Sequence, residues 1–166
     1  MHDEVTEKDI ERMKEEIEYR KLVVRKEALE AVKEARAHGD LSENFEYHAA
    51  KKDKNANESR IRYLERMLKT ANIVSDDSKE DEIGINNTVD LYFEDDEEVE
   101  TYRIVTSVRG NSLAGLISIE SPLGKAVLGH KVGDRVKIPA GDDGYYVVVK
   151  RIDKTTDDSH DTLRKY

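Results

Sequence analysis

Between Thr6 and Val74 the chain contains one glycine, Gly39, and no proline. That scarcity of helix breakers predicts helix over nearly the whole segment, with one interruption at Gly39-Asp40-Leu41-Ser42. Thr6 followed by Asp9 resembles a capping box at the start. Apolar residues recur at three-, four- and seven-residue steps on both sides of the break. They are Ile10, Met13, Ile17 and Val24 before it, and Ile61, Leu64, Leu68 and Ala71 after it. Ile10 with Ala71, Met13 with Leu68, and Ile17 with Leu64 are mirror images about a point between residues 40 and 41. Periodicity and turn chemistry, read separately, therefore give the same answer: an antiparallel coiled-coil hairpin over 1–75 with its tip at 38–44. In that register Arg20 faces Ile61 and Val24 faces Asn57, so the middle of the seam is expected to be its softest part. An arm of about 30 residues reaches roughly 45 Å.

The period then changes. Residues 76–84 read as a polar, acidic linker. Residues 88–93, 99–106, 116–119, 135–138 and 145–152 alternate as strands do, with acidic residues 94–98 as a turn between the first two. Ser121-Pro122 begins a short helix through Leu128, with Ser as N-cap and Pro at the first helical position. Leu123, Val127 and Leu128 read as core. The fold class is α+β: the hairpin, then a small antiparallel-sheet domain over 85–153 with one short helix. A polar tail, 154–166, has the composition of a mobile terminus.

Composition narrows the function classes. The net charge is −9, and most of the negative excess lies beyond residue 75. Free double-stranded DNA is a poor partner for such a chain, because phosphate neutralisation needs a basic excess. There is no cysteine, which removes disulfides and thiolate metal sites. No apolar run approaches the about 18 residues of a membrane helix, and the charged N-terminus lacks a signal peptide's apolar stretch, so the expectation is a cytoplasmic protein with no membrane partner.

Two motifs carry a family resemblance. Glu34-Ala-Arg-Ala-His-Gly-Asp-Leu-Ser-Glu-Asn-Phe-Glu-Tyr-His-Ala-Ala50 resembles the tip motif of the bacterial GreA/GreB transcription elongation factors. Ser121-Pro-Leu-Gly-Lys-Ala-Val-Leu-Gly-His-Lys-Val-Gly-Asp134 resembles a second signature in that family's C-terminal domain, in a form closer to GreA than to GreB. The resemblance covers residues 8–152. It implies an FKBP-like C-terminal domain that docks at the rim of RNA polymerase's secondary channel, with the coiled coil entering the channel. The family's two functional tip acids fall on Asp40 and Glu43. The implied activity is stimulation of the polymerase's own Mg2+-dependent cleavage of backtracked nascent RNA; the factor is then not itself an enzyme, and the family pattern suggests a monomer. Departures are the opening MHDEVTEKD, the run Asn55–Ile61 in the second arm, and Phe45 where the family often has Ala.

Chemistry supports paired acids at such a place. In-line hydrolysis of a phosphodiester is assisted by two metal ions. Magnesium takes hard oxygen ligands and keeps several waters, so two carboxylates suffice to recruit it. In this reading Asp40 and Glu43 hold a magnesium ion shared with polymerase, none being bound by the isolated protein, and Glu43 also orients or deprotonates the attacking water. A second reading makes Asp40 the N-cap of the second helix, with Ser42 a competing cap. Asn44 and Tyr47 read as tip-packing residues. His38 and His48 lack a zinc spacing. Arg36, Ser42, Lys51 and Lys52 are candidate contacts to RNA or polymerase; Lys51, Lys52, Lys54, Arg60 and Arg62 form either a basic steering face or a solvated helix face with salt bridges. Three classes of function stay open: a cleavage-stimulating factor, a non-cleaving channel regulator of the same family, and a coiled-coil scaffold without a polymerase role.

Overall fold

The structure, a computed structural model, describes residues 3–39, 44–155 and 161–164. It divides into two units. One contains Lys8–Ala71, and the other joins Glu4–Glu7 to the chain from Asn72 onward. Among the described residues no helix is long and apolar enough to cross a membrane.

The first unit is the helical hairpin. Its first arm is α1 (Glu7–Tyr19), a π-helical turn (Arg20–Val24) and α2 (Arg25–Arg36); its second is α3 (Phe45–Thr70). Met13 and Ile17 from the first arm and Ile61, Leu64 and Met67 from the second are buried between them. Leu68, expected in the seam, is half-buried, and its neighbour Met67 takes the inner position. Toward the turn the arms approach through Ala35, which is 4% exposed.

The middle of the seam differs from the mirror register. Arg20 donates from Nη1 to Asn57 Oδ1 at 3.0 Å, and Asn57 Nδ2 donates back to the Arg20 carbonyl at 3.3 Å. These two residues lie about one helical turn off the mirror pairing. Glu16 accepts from Arg20 Nε at 2.7 Å and from Arg60 Nε and Nη2 at 2.8 and 3.2 Å. Arg25 forks onto Glu58 at 3.0 and 2.9 Å. A π turn inserts an extra residue into one arm and rotates the face of all that follows, so one register cannot describe both ends.

The second unit is built on a five-stranded sheet in the order β5-β4-β3-β7-β6, from β3 (Thr88–Phe93), β4 (Glu98–Val105), β5 (Leu116–Ser118), β6 (Arg135–Ile138) and β7 (Tyr145–Asp153). Period-two alternation sends Val89, Leu91, Ile104, Val136, Ile138, Val147 and Val149 to one buried face. α4 (Pro122–Val127) contacts β5 and β6 and contributes Val127, which has no exposed surface. Its N-terminus is as the sequence predicts: Ser121 Oγ accepts from the Gly124 N–H at 3.1 Å and Pro122 opens the helix. Leu123 packs on the core from its edge, whereas Leu128, expected inside, is 38% exposed at the helix end.

Four features depart from the sequence reading. The sheet is mixed, because β5 runs parallel to β4 in the register Arg103↔Leu116 to Val105↔Ser118. Short 3-10 turns at Ser107–Arg109 and Ser112–Ala114 carry the chain back to start β5 in the same direction as β4. Next, β1 (Glu4–Val5) pairs in parallel with β2 (Asn72–Ile73), and Val5 is fully buried. The end of the polar segment also contributes to the core, since Ile83 is completely buried there and exchanges backbone hydrogen bonds with His130 and Gly129. Finally, the tail expected to be mobile is anchored at Asp161–Arg164. Asp161 is paired with Arg103 and, at 2.9 Å, with Arg109, and the Arg164 N–H donates to the Val108 carbonyl at 2.6 Å.

Candidate functional site

The tip is framed by two helix ends of different construction. α2 frays through Ala37, whose N–H reaches the carbonyls of Lys33 and Glu34, both at 3.2 Å. Gly39 follows at φ +120°, in a region L side chains rarely adopt. Asp40, Ser42 and Glu43 lie outside the described residues. The chain re-enters at Asn44 in an extended conformation, and α3 begins at Phe45.

Asn44 holds this end together. Its Oδ1 accepts the Tyr47 N–H at 3.0 Å, which makes it the N-cap of α3. Its Nδ2 donates to the Ala35 carbonyl at 2.6 Å, satisfying an end group of the opposite arm. The cap position is thus occupied by Asn44, which corrects the reading that gave it to Asp40 or Ser42. In the sequence the turn cluster Gly39-Asp40-Leu41-Ser42 stops short of Asn44, and Tyr47 at N3 gives no capping-box signal.

Around that cap sit rings and cations. Tyr47 is half-buried, with the Arg36 guanidinium 5.8 Å from its ring centre and His48 edge-on at 5.5 Å. His38 Nδ1 stands 3.3 Å from Glu46 Oε2, so the two histidines have separate partners. Phe45 is 86% exposed. Arg36, Lys51 and Lys52 are exposed, and Arg62 is exposed with a bond to Ser59 Oγ at 3.0 Å. Arg60 does not belong to this basic face: it is 6% exposed, inside the hairpin on Glu16. Among the described residues no group of three or more His, Cys, Asp or Glu side chains is placed to hold a metal ion.

The second motif is structural at its ends. Asp134 Oδ2 accepts the Lys131 N–H at 3.0 Å and lies 2.9 Å from His130 Nδ1. The Lys131 amide, then His130, hold the Asp134 carboxyl below its ordinary range.

Both motifs fall within regions matched by family models. One, described as the N-terminal part of a GreA/GreB transcription elongation factor, matches residues 4–73, and a second, describing the GreA/GreB C-terminal part, matches residues 77–154. The chain belongs to the GreA/GreB family of transcription elongation factors. The transcription elongation factor GreA of Thermoanaerobacter pseudethanolicus is 46% identical over 140 residues, covering 82% of this chain and 89% of that protein. GreA of Streptococcus pneumoniae serotype 19F is 40% identical over 152 residues, covering 91% and 95%. The crystal structure of GreA factor homolog 1 from Thermus thermophilus is 29% identical, covers 92% of this chain and 99% of that one, and superposes with a TM-score of 0.43. Within the Gre family frame, the hairpin turn and the Ser121–Asp134 segment are the parts of this chain on which a functional reading bears.

Proposed function

We propose that this Gre-family chain binds RNA polymerase, passes its hairpin tip through the secondary channel, and stimulates the polymerase's intrinsic cleavage of backtracked RNA. The chain supplies carboxylates and the polymerase remains the enzyme. Asp40 and Glu43 are hard oxygen donors suited to magnesium, and two are fewer than an octahedral ion requires. Asp40 and Glu43 would hold the ion together with groups of the polymerase and water, so it would belong to the complex. When bound, it stabilises charge on the attacking and leaving oxygens. Glu43 orients the attacking water or accepts its proton.

The observation that carries this reading is the Asn44 cap. The role that competes with metal binding for Asp40 has another occupant, and the same side chain ties the arms together beside the turn. The second unit, with its Ser121–Asp134 segment, is the part that docks on the channel rim. Cytoplasmic location and a monomeric state accompany the proposal.

The test uses a purified backtracked elongation complex with Mg2+. The added chain shortens the transcript from its 3′ end and permits restart. Asp40→Ala and Glu43→Ala each lower the cleavage rate by about 10²–10⁴-fold while polymerase affinity stays within about threefold of the parent. A chain that binds polymerase without accelerating cleavage is instead a non-cleaving regulator of the channel. One that does not bind polymerase has neither role.

A further inference from the structure

Phe45 is the most exposed aromatic side chain among the described residues, at 86%. The chain has two phenylalanines, and the other shows what the fold does with one it needs. Phe93 lies at the edge of the sheet core, stacked on Tyr145 at 6.0 Å and edge-on to Tyr102 at 6.1 Å. Among the described residues Phe45 makes no ring contact of that kind, and it carries no polar atom to satisfy in water. Leaving its ring in solvent forgoes the burial that a phenylalanine ordinarily contributes.

Its position explains what it could meet. Phe45 is the first residue of α3, directly after the Asn44 cap and two residues beyond Glu43. In a helix the Cα–Cβ bond leans toward the N-terminus, so the ring inclines toward the turn. Exposed cations stand on both arms of the same end of the hairpin: Arg36, with its guanidinium 5.8 Å from the Tyr47 ring centre, and Lys51 and Lys52 about two turns further along α3. Glu46 Oε2 lies 3.3 Å from His38 Nδ1. Aromatic faces interleaved with cations are the recognition chemistry of single-stranded nucleic acid: rings stack on bases and cations take the backbone.

We propose that Phe45 stacks on an unpaired nucleobase near the 3′ end of the backtracked RNA and so positions the strand beside the tip acids. This rests on the function proposed above. Phe45 is a substrate-positioning residue and takes no part in proton transfer. Stacking on a π face is tolerant of base identity, so the contact suits a displaced strand of any sequence.

The experiment places 2-aminopurine at the RNA 3′ end of a backtracked complex and follows its fluorescence on adding the full chain. The parent chain quenches the signal, and so do Phe45→Trp and Glu43→Ala, the latter without cleavage. Phe45→Ala abolishes quenching and slows cleavage about tenfold at unchanged polymerase affinity; Phe45→Leu behaves like Ala. With the ring exposed, these variants keep the parent's melting temperature. If Phe45→Leu restores cleavage while quenching stays absent, Phe45 meets an apolar protein wall and the proposal is overturned. Equal quenching by parent and Phe45→Ala overturns it too, as does absence of quenching by the parent. Failure of the parent to accelerate cleavage, by contrast, counts against the function proposed above.

Discussion

Gly124 shows how a single residue can be read for the wrong reason. The glycines of Ser121–Asp134 look like turn formers, and Gly129 and Gly133 are, at φ +85° and +93°. Gly124 is different. It sits inside α4, and a Cβ there would stand 2.0 Å from the Ser118 carbonyl oxygen and 2.8 Å from its carbon. The glycine is required so that α4 can lie directly on the backbone at the end of β5. Gly124→Ala is expected to lower stability by about 1–3 kcal/mol, seen as a fall of several degrees in the thermal melt. Gly129→Ala has open space around its Cβ and carries only the left-handed backbone penalty, about 1 kcal/mol. Equal effects from the two substitutions would contradict this division of roles. At the same scale, the tip acids and the cap illustrate how adjacent polar residues divide labour. Asn44 satisfies backbone groups on both arms, and the proposed chemistry falls to Asp40 and Glu43.

Within the hairpin, apolar contact and charge pairing alternate along the length. Met13, Ile17, Ile61, Leu64 and Met67 form one apolar stretch, and Ala35 marks the close approach near the turn. Between them Arg20, Asn57, Glu16 and Arg60 replace hydrophobic packing with directional bonds. Such bonds are satisfied in one register, which a smooth apolar seam would leave less defined. Burial alone would raise the Glu16 pKa, but hydrogen bonds from Arg60 and Arg20 outweigh it and hold the carboxyl below its ordinary value. A depressed carboxylate contributes stability above its unfolded pKa, near about 4.3, and loses it as pH falls through the folded value. The hairpin is therefore expected to weaken below about pH 4, as followed by helical circular dichroism. Glu16→Gln should flatten that acid limb and, at neutral pH, cost about 2 kcal/mol. An unchanged acid limb in the variant would show that Glu16 is not its source.

The molecule as a whole joins its first and last segments to the second unit. Glu4–Val5 pairs with Asn72–Ile73, and the tail returns Asp161 to two arginines of the sheet domain. The Arg109 side chain is 1% exposed and that of Asp161 6%, and Arg109 also donates to Asn86 Oδ1 at 2.7 Å. Asn86 itself holds φ +70°, so a strained residue, a buried cation and a tail carboxylate share one cluster. Asp161→Ala removes a buried carboxylate that accepts from two arginines, so it is expected to destabilise the chain by about 3 kcal/mol, measured by chemical denaturation. A change below about 0.5 kcal/mol, the range of ordinary surface substitutions, would mean that the tail only rests on the surface.

The sequence by itself determined the two arms of the hairpin, the strands of the five-stranded sheet and the short helix α4. Scarce breakers, period-three-and-four spacing and a lone glycine specify a hairpin; period-two runs specify β3, β6 and β7; Ser121-Pro122 specifies the start of α4. These are local signals, carried by residues within a turn or two of one another. The two motifs likewise made the Gre family legible. Only the tertiary structure decided that β5 runs parallel to β4, that Arg60 is inside the seam, that Asn44 is the cap and that Asp161 is buried. All but the Asn44 cap, which bonds Tyr47 three residues on, depend on a partner distant in sequence, and a long polar side chain reads the same in sequence whether it meets water or a charge from another element.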